Sequence, residues 1–176
     1  MIRCYVTDRR QGDVVASSRR AISDRVDFIQ IREKDLPARE LFALACQIRD
    51  LAAGSFTRVL VNDRLDVALA TGVDGVHLPG NGLPADRVRP LVKLLSVSTH
   101  SLAEALEAEK AWPDFIIFGP IFETPGKKPV GLKALADVTS RVRIPILAIG
   151  GITSGNVPQV LQAGAKGFAA IRQFQV

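Results

Sequence analysis

Short apolar segments alternate with longer amphipathic segments along most of the chain. The apolar segments span four to seven residues and are rich in valine, isoleucine, leucine and phenylalanine, which is typical of buried strands. The amphipathic segments repeat apolar residues at helical spacing, and Ser101 with Glu104 forms the sequence pattern of a helix N-terminus. Eight strands are predicted at 3–7, 28–32, 58–62, 75–78, 94–98, 115–119, 144–150 and 167–171, and the clearest helical patterns lie at 37–53, 101–111, 131–142 and 156–164.

This alternation predicts parallel strands joined by right-handed helical crossovers. Eight such units fit a compact, closed (β/α)8 TIM barrel better than a doubly wound sheet, because the strands are many for 176 residues and no GxGxxG follows the first one. No linker divides the chain, so we expect one barrel domain over residues 1–176. The sequence after 167–171 is too short for an eighth helix. We therefore expect the barrel wall near strands 7, 8 and 1 to be uncovered, or covered by a second copy in a homodimer.

Charge and composition narrow the class of partner. The chain carries 23 Lys and Arg against 18 Asp and Glu, a net charge of +5 that is spread along the sequence. A solvated basic surface or an anionic small-molecule substrate would account for it, whereas nucleic acid is not expected because aromatic residues total only 6% and no basic stripe contains them. No apolar run reaches the ~20 residues of a membrane span. A predicted strand begins at the N-terminus, so no signal peptide is expected. Cys4 and Cys46 do not have the spacing of a metal site. A cytoplasmic protein without a membrane partner is expected.

The end of the second strand carries the clearest chemical signal. In FIQIREKD, Gln30, Arg32 and Lys34 occupy every second position, and side chains two apart on a strand point to the same face. In a (β/α)8 barrel, the site lies where the strands end at their carboxyl side. An arginine suits bidentate phosphate contact and a lysine adds a point charge, so this row predicts a site for an anion.

Other strand ends add polar groups to the same side of the barrel. Two glycines after strand 7 let backbone N–H groups approach an anion, and phosphate sites in such barrels commonly use the loops after strands 7 and 8. Asp63 after strand 3 is a candidate Mg²⁺ ligand or a partner for Arg32. The remaining candidates are Asn62, His77, Ser98, His100, Thr124, Lys127, Gly150, Gly151 and Arg172.

Several of these stretches resemble one family. IQIREKD, VNDR, SVSTHS, FGPIFETPGKK and AIGGI follow, in order and over nearly the whole chain, the pattern of the thiamine phosphate synthase/TenI family. The resemblance implies a (β/α)8 barrel and a role in thiamine biosynthesis. The family's synthases join a hydroxymethylpyrimidine diphosphate to a thiazole phosphate and release diphosphate, whereas its TenI branch aromatises a thiazole phosphate carboxylate tautomer.

The synthase pattern implies a role for each matching residue. Gln30, Arg32, Lys34 and Asn62 would bind the pyrimidine diphosphate, Asp63 would be a Mg²⁺ ligand, and Ser98 and Lys127 would contact the diphosphate. Thr124, Gly150, Gly151 and Arg172 would lie at the thiazole phosphate, with Arg172 where the family usually has a serine.

Two further departures from the pattern leave the specific activity open. The loop HLPGNGLP has Gly82 where synthases usually have the aspartate that is their second Mg²⁺ ligand, which favours the TenI branch. TenI-like enzymes, however, place a histidine where this chain has Pro120. Three hypotheses remain. The first, slightly favoured, is a TenI-like tautomerase in which His77, His100 or no side-chain base transfers the proton. The second is a thiamine phosphate synthase with a weakened Mg²⁺ site, and the third is a non-catalytic binder of a phosphorylated small molecule.

Overall fold

The computed structural model describes residues 1–175 and shows a closed barrel of eight parallel strands, β1 to β8, in sequence order. The predicted fold class and all eight predicted strands are confirmed. The strands are β1 Ile2–Val6, β2 Phe28–Ile31, β3 Arg58–Asn62, β4 Gly75–Leu78, β5 Leu94–Thr99, β6 Phe115–Phe118, β7 Ile146–Ile149 and β8 Gly167–Ala170. The helices are α1 Val14–Ser23, α2 Ala38–Ala52, α3 Leu65–Thr71, α4 Ala85–Val88, α5 Leu102–Glu109, α6 Gly131–Arg141 and α7 Val157–Gln162, with a 3-10 turn at Arg89–Leu91.

Local chemistry explains where prediction and structure differ. Strand β7 starts later than predicted because Pro145 has no N–H for the ladder, and it stops before Gly150, whose φ is 95°. Helix α1 is not among the predicted helices, although Asp13 is a good N-cap whose carboxylate accepts from the N–H groups of Val15 and Ala16. None of the helices within residues 1–175 is long and apolar enough to cross a membrane.

The inward and outward faces of the barrel strands contribute to two separate apolar cores. The smaller core fills the barrel and contains Cys4, Leu60, Phe115, Ile117 and Leu147, among others. The larger core lies between the barrel and its helices, and it takes residues from the opposite face of the same strands. This alternation, which follows from the period of two along a strand, decides which side chains can rise to the barrel mouth.

The outer wall at β8 and β1 is covered by the chain's own last residues. Within 171–175 there is no helix, in agreement with the prediction, but Phe174 is buried there. Its ring packs 5.7 Å from the ring of Tyr5 and 6.1 Å from that of Phe168, measured between centroids. Phe174 therefore covers part of this wall at β1 and β8, and what covers the rest of it stays a prediction. The predicted homodimer stays a prediction.

Candidate functional site

The inward row of β2 rises to the barrel mouth as the alternation predicts. Phe28 stacks on Phe115 inside the barrel at 4.5 Å, whereas Ile29 and Ile31 belong to the outer core. Gln30 is buried on the inward side, and its Nε2 donates to Oδ1 of Asn62 at 3.1 Å. This single bond leaves Oε1 of Gln30 and Nδ2 of Asn62 as an acceptor and a donor, the kinds of group that recognise a heterocycle.

The charges of Arg32, Lys127 and Asp63 all act on Lys34. The pKa of Lys34 is lowered, chiefly by the positive charge of Arg32, then by partial burial and by Lys127, while Asp63 acts in the opposite direction. These effects group residues from the ends of β2, β3 and β6 into one electrostatic cluster, whose predicted role in substrate binding stays a prediction. Because like charges are held together with too few carboxylates to neutralise them, the cluster favours a polyvalent anion.

We expect the lowered pKa of Lys34 to be visible by titration. Its ammonium should lose its proton at lower pH than an ordinary lysine, and replacing Lys127 with methionine should move the titration to higher pH because one repelling charge is removed. ¹³C NMR of labelled lysine side chains, with Lys34 assigned from the Lys34→Gln variant, measures both. The exposed neighbour Lys128 serves as control, and Lys128→Met should leave the titration in place. An ordinary lysine pKa in all three proteins would contradict the cluster.

His77 lies below the cations and bridges two serines. Its Nδ1 is 2.7 Å from Oγ of Ser96 and its Nε2 is 2.7 Å from Oγ of Ser98. Burial, and secondarily the charge of Arg32, lower the pKa of His77 to about 3, so the ring is neutral at physiological pH. A neutral, buried ring with both nitrogens engaged is poorly suited to act as a base. The geometry supports orienting the Ser98 hydroxyl, and the predicted catalytic role of His77 remains untested.

The other histidine, His100, has a partner in the main chain. Its Nδ1–H donates to the carbonyl oxygen of Gly119 at 2.5 Å, and its backbone N–H donates to the carboxylate of Glu104 at 2.8 Å. Glu104 was predicted to share a capping pattern with Ser101, whose Oγ does accept from the Glu104 N–H at 3.2 Å. His100 thus joins the end of β5 to the β6 loop, which accounts for its position without a role in proton transfer.

The loops after β6 and β7 pack directly on one another. A Cβ on Gly150 would lie 2.4 Å from Cβ of Pro120, and one on Gly151 would lie 2.7 Å from Cβ of Phe122. Both glycines also have left-handed φ values, 95° and 65°. Close packing therefore already requires glycine here, and the predicted contact of this turn with phosphate is an additional role that stays a prediction.

Thr124, Lys127 and Arg172 lie on exposed or half-exposed loops around the mouth. A tight turn joins the first two, with the Lys127 N–H donating to the Thr124 carbonyl at 3.0 Å. Arg172 follows β8, is exposed, and forms no ion pair with any residue in the part of the chain that the structure describes. Its guanidinium is therefore available to an anion, as its predicted role requires.

The residues present fit a Mg²⁺ ion only if a substrate supplies ligands. Asp63 adopts a left-handed conformation, with φ of 65°, that directs its carboxylate towards the β4 loop. A Cβ on Gly82 would lie 3.1 Å from Oδ1 of Asp63, so a carboxylate at position 82 would face that of Asp63. Residues 1–175 contain no group of three metal-binding side chains. Proteins often bind Mg²⁺ with one or two carboxylates and the phosphates of a substrate, and a single Asp63 fits that arrangement. It does not fit a site in which the protein supplies all the ligands.

Two buried polar residues of this region were not recognised from the sequence. Ser96 lies within the apolar segment LLSVS, two residues before Ser98. Because residues two apart on a strand point to the same face, this spacing indicates that both serines face inward. Glu33 is buried between the ends of β1 and β2, and nothing in REKD distinguishes it from a surface glutamate. Its surroundings are described further below.

Comparisons with known proteins agree with this geometry. The family model described as thiamine monophosphate synthase matches residues 4–174. Thiamine-phosphate synthases from Chlorobium phaeobacteroides and Pelotomaculum thermopropionicum are 39% and 41% identical to the chain; each alignment covers 96% of it, and they cover 85% and 79% of those proteins. The solved structure of thiamine phosphate pyrophosphorylase from Pyrococcus furiosus superimposes with a TM-score of 0.90 at 36% identity, over 97% of this chain and 85% of that one.

Proposed function

Because the chain belongs to the thiamine monophosphate synthase family, we propose that it catalyses the synthase reaction itself. In this reaction a hydroxymethylpyrimidine diphosphate and a thiazole phosphate are joined, and diphosphate is released. The slight preference of the sequence for a TenI-like tautomerase gains no support from the comparisons, since both relatives described above and the solved structure carry names of the synthase activity.

The observation that carries the proposal is the cluster of Arg32, Lys34 and Lys127. When the carbon–oxygen bond to the diphosphate breaks, negative charge grows on the leaving oxygen and positive charge grows on the pyrimidine methylene carbon. Fixed cations at the leaving group stabilise that transition state more than the ground state, which is the source of rate enhancement. A monophosphate would need fewer charges than the three of this cluster.

The residues around the cluster would position the rest of the substrates. The amides of Gln30 and Asn62 form the floor below the cations and are suited to hydrogen bonds with the pyrimidine ring. Ser98, with its hydroxyl oriented by His77, would donate to a phosphate oxygen. The turn of Gly150 and Gly151 would hold the thiazole phosphate by backbone N–H groups.

Asp63 is the residue that would hold Mg²⁺. The ion, when bound together with the diphosphate, would neutralise part of the leaving group's charge. Arg32, Lys34 and Lys127 would share this neutralisation of the leaving group.

The tautomerase remains the second candidate because HLPGNGLP lacks the acidic residue of synthases. A side-chain base for it would be His77, which is neutral and hydrogen-bonded through both ring nitrogens, or His100, of which only Nδ1 is hydrogen-bonded. A positioned base with a suitable pKa is the main requirement of that chemistry. The names of the relatives, rather than the state of the histidines, favour the synthase over the tautomerase.

A turnover assay tests the proposal directly. Purified protein is incubated with the pyrimidine diphosphate, the thiazole phosphate and Mg²⁺, and diphosphate release is followed. We expect turnover that falls by about 10²-fold in Lys127→Met and is unchanged in the matched control Lys128→Met, which removes an exposed cation from the same loop. Conversion of a thiazole tautomer without diphosphate release would favour the TenI-like activity. Binding of thiazole phosphate without either reaction would indicate a non-catalytic binder.

A further inference from the structure

Glu33 is a buried carboxylate at the edge of the proposed active site. It follows Arg32 in the chain but points away from the inward row, and its side chain is only 2% exposed. Burying an ionisable carboxylate is unfavourable unless hydrogen bonds compensate for the lost water. The partners that Glu33 has found therefore indicate what its burial stabilises.

These partners come from the end of β1 and the loop that follows it. The hydroxyl of Thr7 donates to Oε1 of Glu33 at 2.5 Å, and the backbone N–H of Arg9 donates to both carboxylate oxygens at 3.2 and 3.1 Å. The Arg9 guanidinium lies 3.9 Å away but is directed mainly to Asp35. One carboxylate thus fixes the first residues of the β1 loop against the end of β2.

The Thr7 hydroxyl extends this arrangement to Arg32. It accepts a hydrogen bond from the backbone N–H of Arg32 at 2.9 Å. A threonine hydroxyl has a single proton, and donating it to Glu33 leaves the oxygen lone pairs for the Arg32 N–H. The carboxylate therefore fixes, through Thr7, the backbone from which the Arg32 side chain rises.

We infer that Glu33 and Thr7 are positioning residues, which act through Arg32 on binding of the diphosphate group. The identity of the substrate in this inference rests on the proposed function, whereas the binding of an anion at Arg32 does not. Glu33, Thr7 and the Arg32 N–H form a clamp beyond Ile31, where the ladder of β2 ends. Without this clamp, the backbone at Arg32 would lose the hydrogen bonds that set its direction. Precise orientation matters because a bidentate arginine contact is lost by small displacements.

Three variants separate positioning from general stability. Thr7→Val keeps the shape of the side chain and removes its hydroxyl, Thr7→Ser keeps the hydroxyl, and Glu33→Gln keeps the shape but brings an NH₂ group towards donors. The measurements are the Kd for inorganic diphosphate by calorimetry, the KM for each substrate, and thermal unfolding. The Thr7 pair remains informative if Glu33→Gln does not fold.

We expect Thr7→Val and Glu33→Gln to raise the Kd for inorganic diphosphate and the KM for the pyrimidine diphosphate by about tenfold. The KM for the thiazole phosphate, which would bind at the β7 turn, should change by less than about twofold, and Thr7→Ser should resemble the wild type. Equal changes in both KM values, or an unchanged Kd for diphosphate, would overturn the inference. If the wild type has no turnover but binds diphosphate, and the variants bind it more weakly, the proposed function fails and the positioning role stands.

Discussion

Replacing Arg32 with methionine is expected to lower kcat/KM for diphosphate release by about 10²–10³-fold. Arg32 is the cation with the largest effect on the pKa of Lys34, and its charge also lowers the pKa of His77. Methionine fills a similar volume and removes the charge and the bidentate donors together. Steady-state kinetics over both substrates measures the loss.

The Arg32→Lys variant is the control that separates charge from geometry. A lysine keeps the positive charge but cannot form two parallel hydrogen bonds, so we expect partial recovery, to within about tenfold to thirtyfold of the wild type. A second check comes from Lys34, whose pKa should rise when Arg32 becomes methionine because its main repelling charge is gone. Turnover unchanged in Arg32→Met would contradict the assignment of the cluster to the leaving diphosphate.

Replacing Gly82 with aspartate is expected to strengthen Mg²⁺ binding by at least about tenfold. The Cβ of a side chain at this position would lie 3.1 Å from Oδ1 of Asp63. The two carboxylates would therefore be near enough to bind one metal ion together. A second carboxylate raises the negative charge that a divalent cation neutralises. The Mg²⁺ concentration giving half-maximal turnover should therefore fall, and calorimetry should detect Mg²⁺ binding without substrate.

Two neutral variants control for the crowding at this position. Any Cβ on residue 82 lies 2.9 Å from Cδ of Pro79, so each substitution requires a small movement of the loop. Gly82→Asn and Gly82→Ala share that effect but add no charge, and they should leave the Mg²⁺ dependence near that of the wild type. An unchanged Mg²⁺ requirement in Gly82→Asp would show that Asp63 and residue 82 do not hold the ion together.

The positions of the cations could be predicted from the sequence, but those of their supports could not. Gln30, Arg32 and Lys34 share a face because side chains alternate along any strand, whatever the rest of the chain does. Thr7 and Glu33 are 26 residues apart, and no periodicity within one strand indicates that they meet. The serines on either side of His77 come from the neighbouring strand, and the parallel register decides their contact.

The sequence by itself determined the eight strands, their order around the barrel, and the row of polar groups that reaches the mouth. These features follow from local periodicity and from the chirality of parallel crossovers, which act over short stretches of chain. Only the tertiary structure decided that Phe174 packs against Tyr5 and Phe168, that His77 is neutral and engaged on both nitrogens, and that Glu33 is buried. Each of these features depends on burial by residues that are distant in sequence. Such residues come together only in the folded barrel, so their burial has no local signal in the sequence.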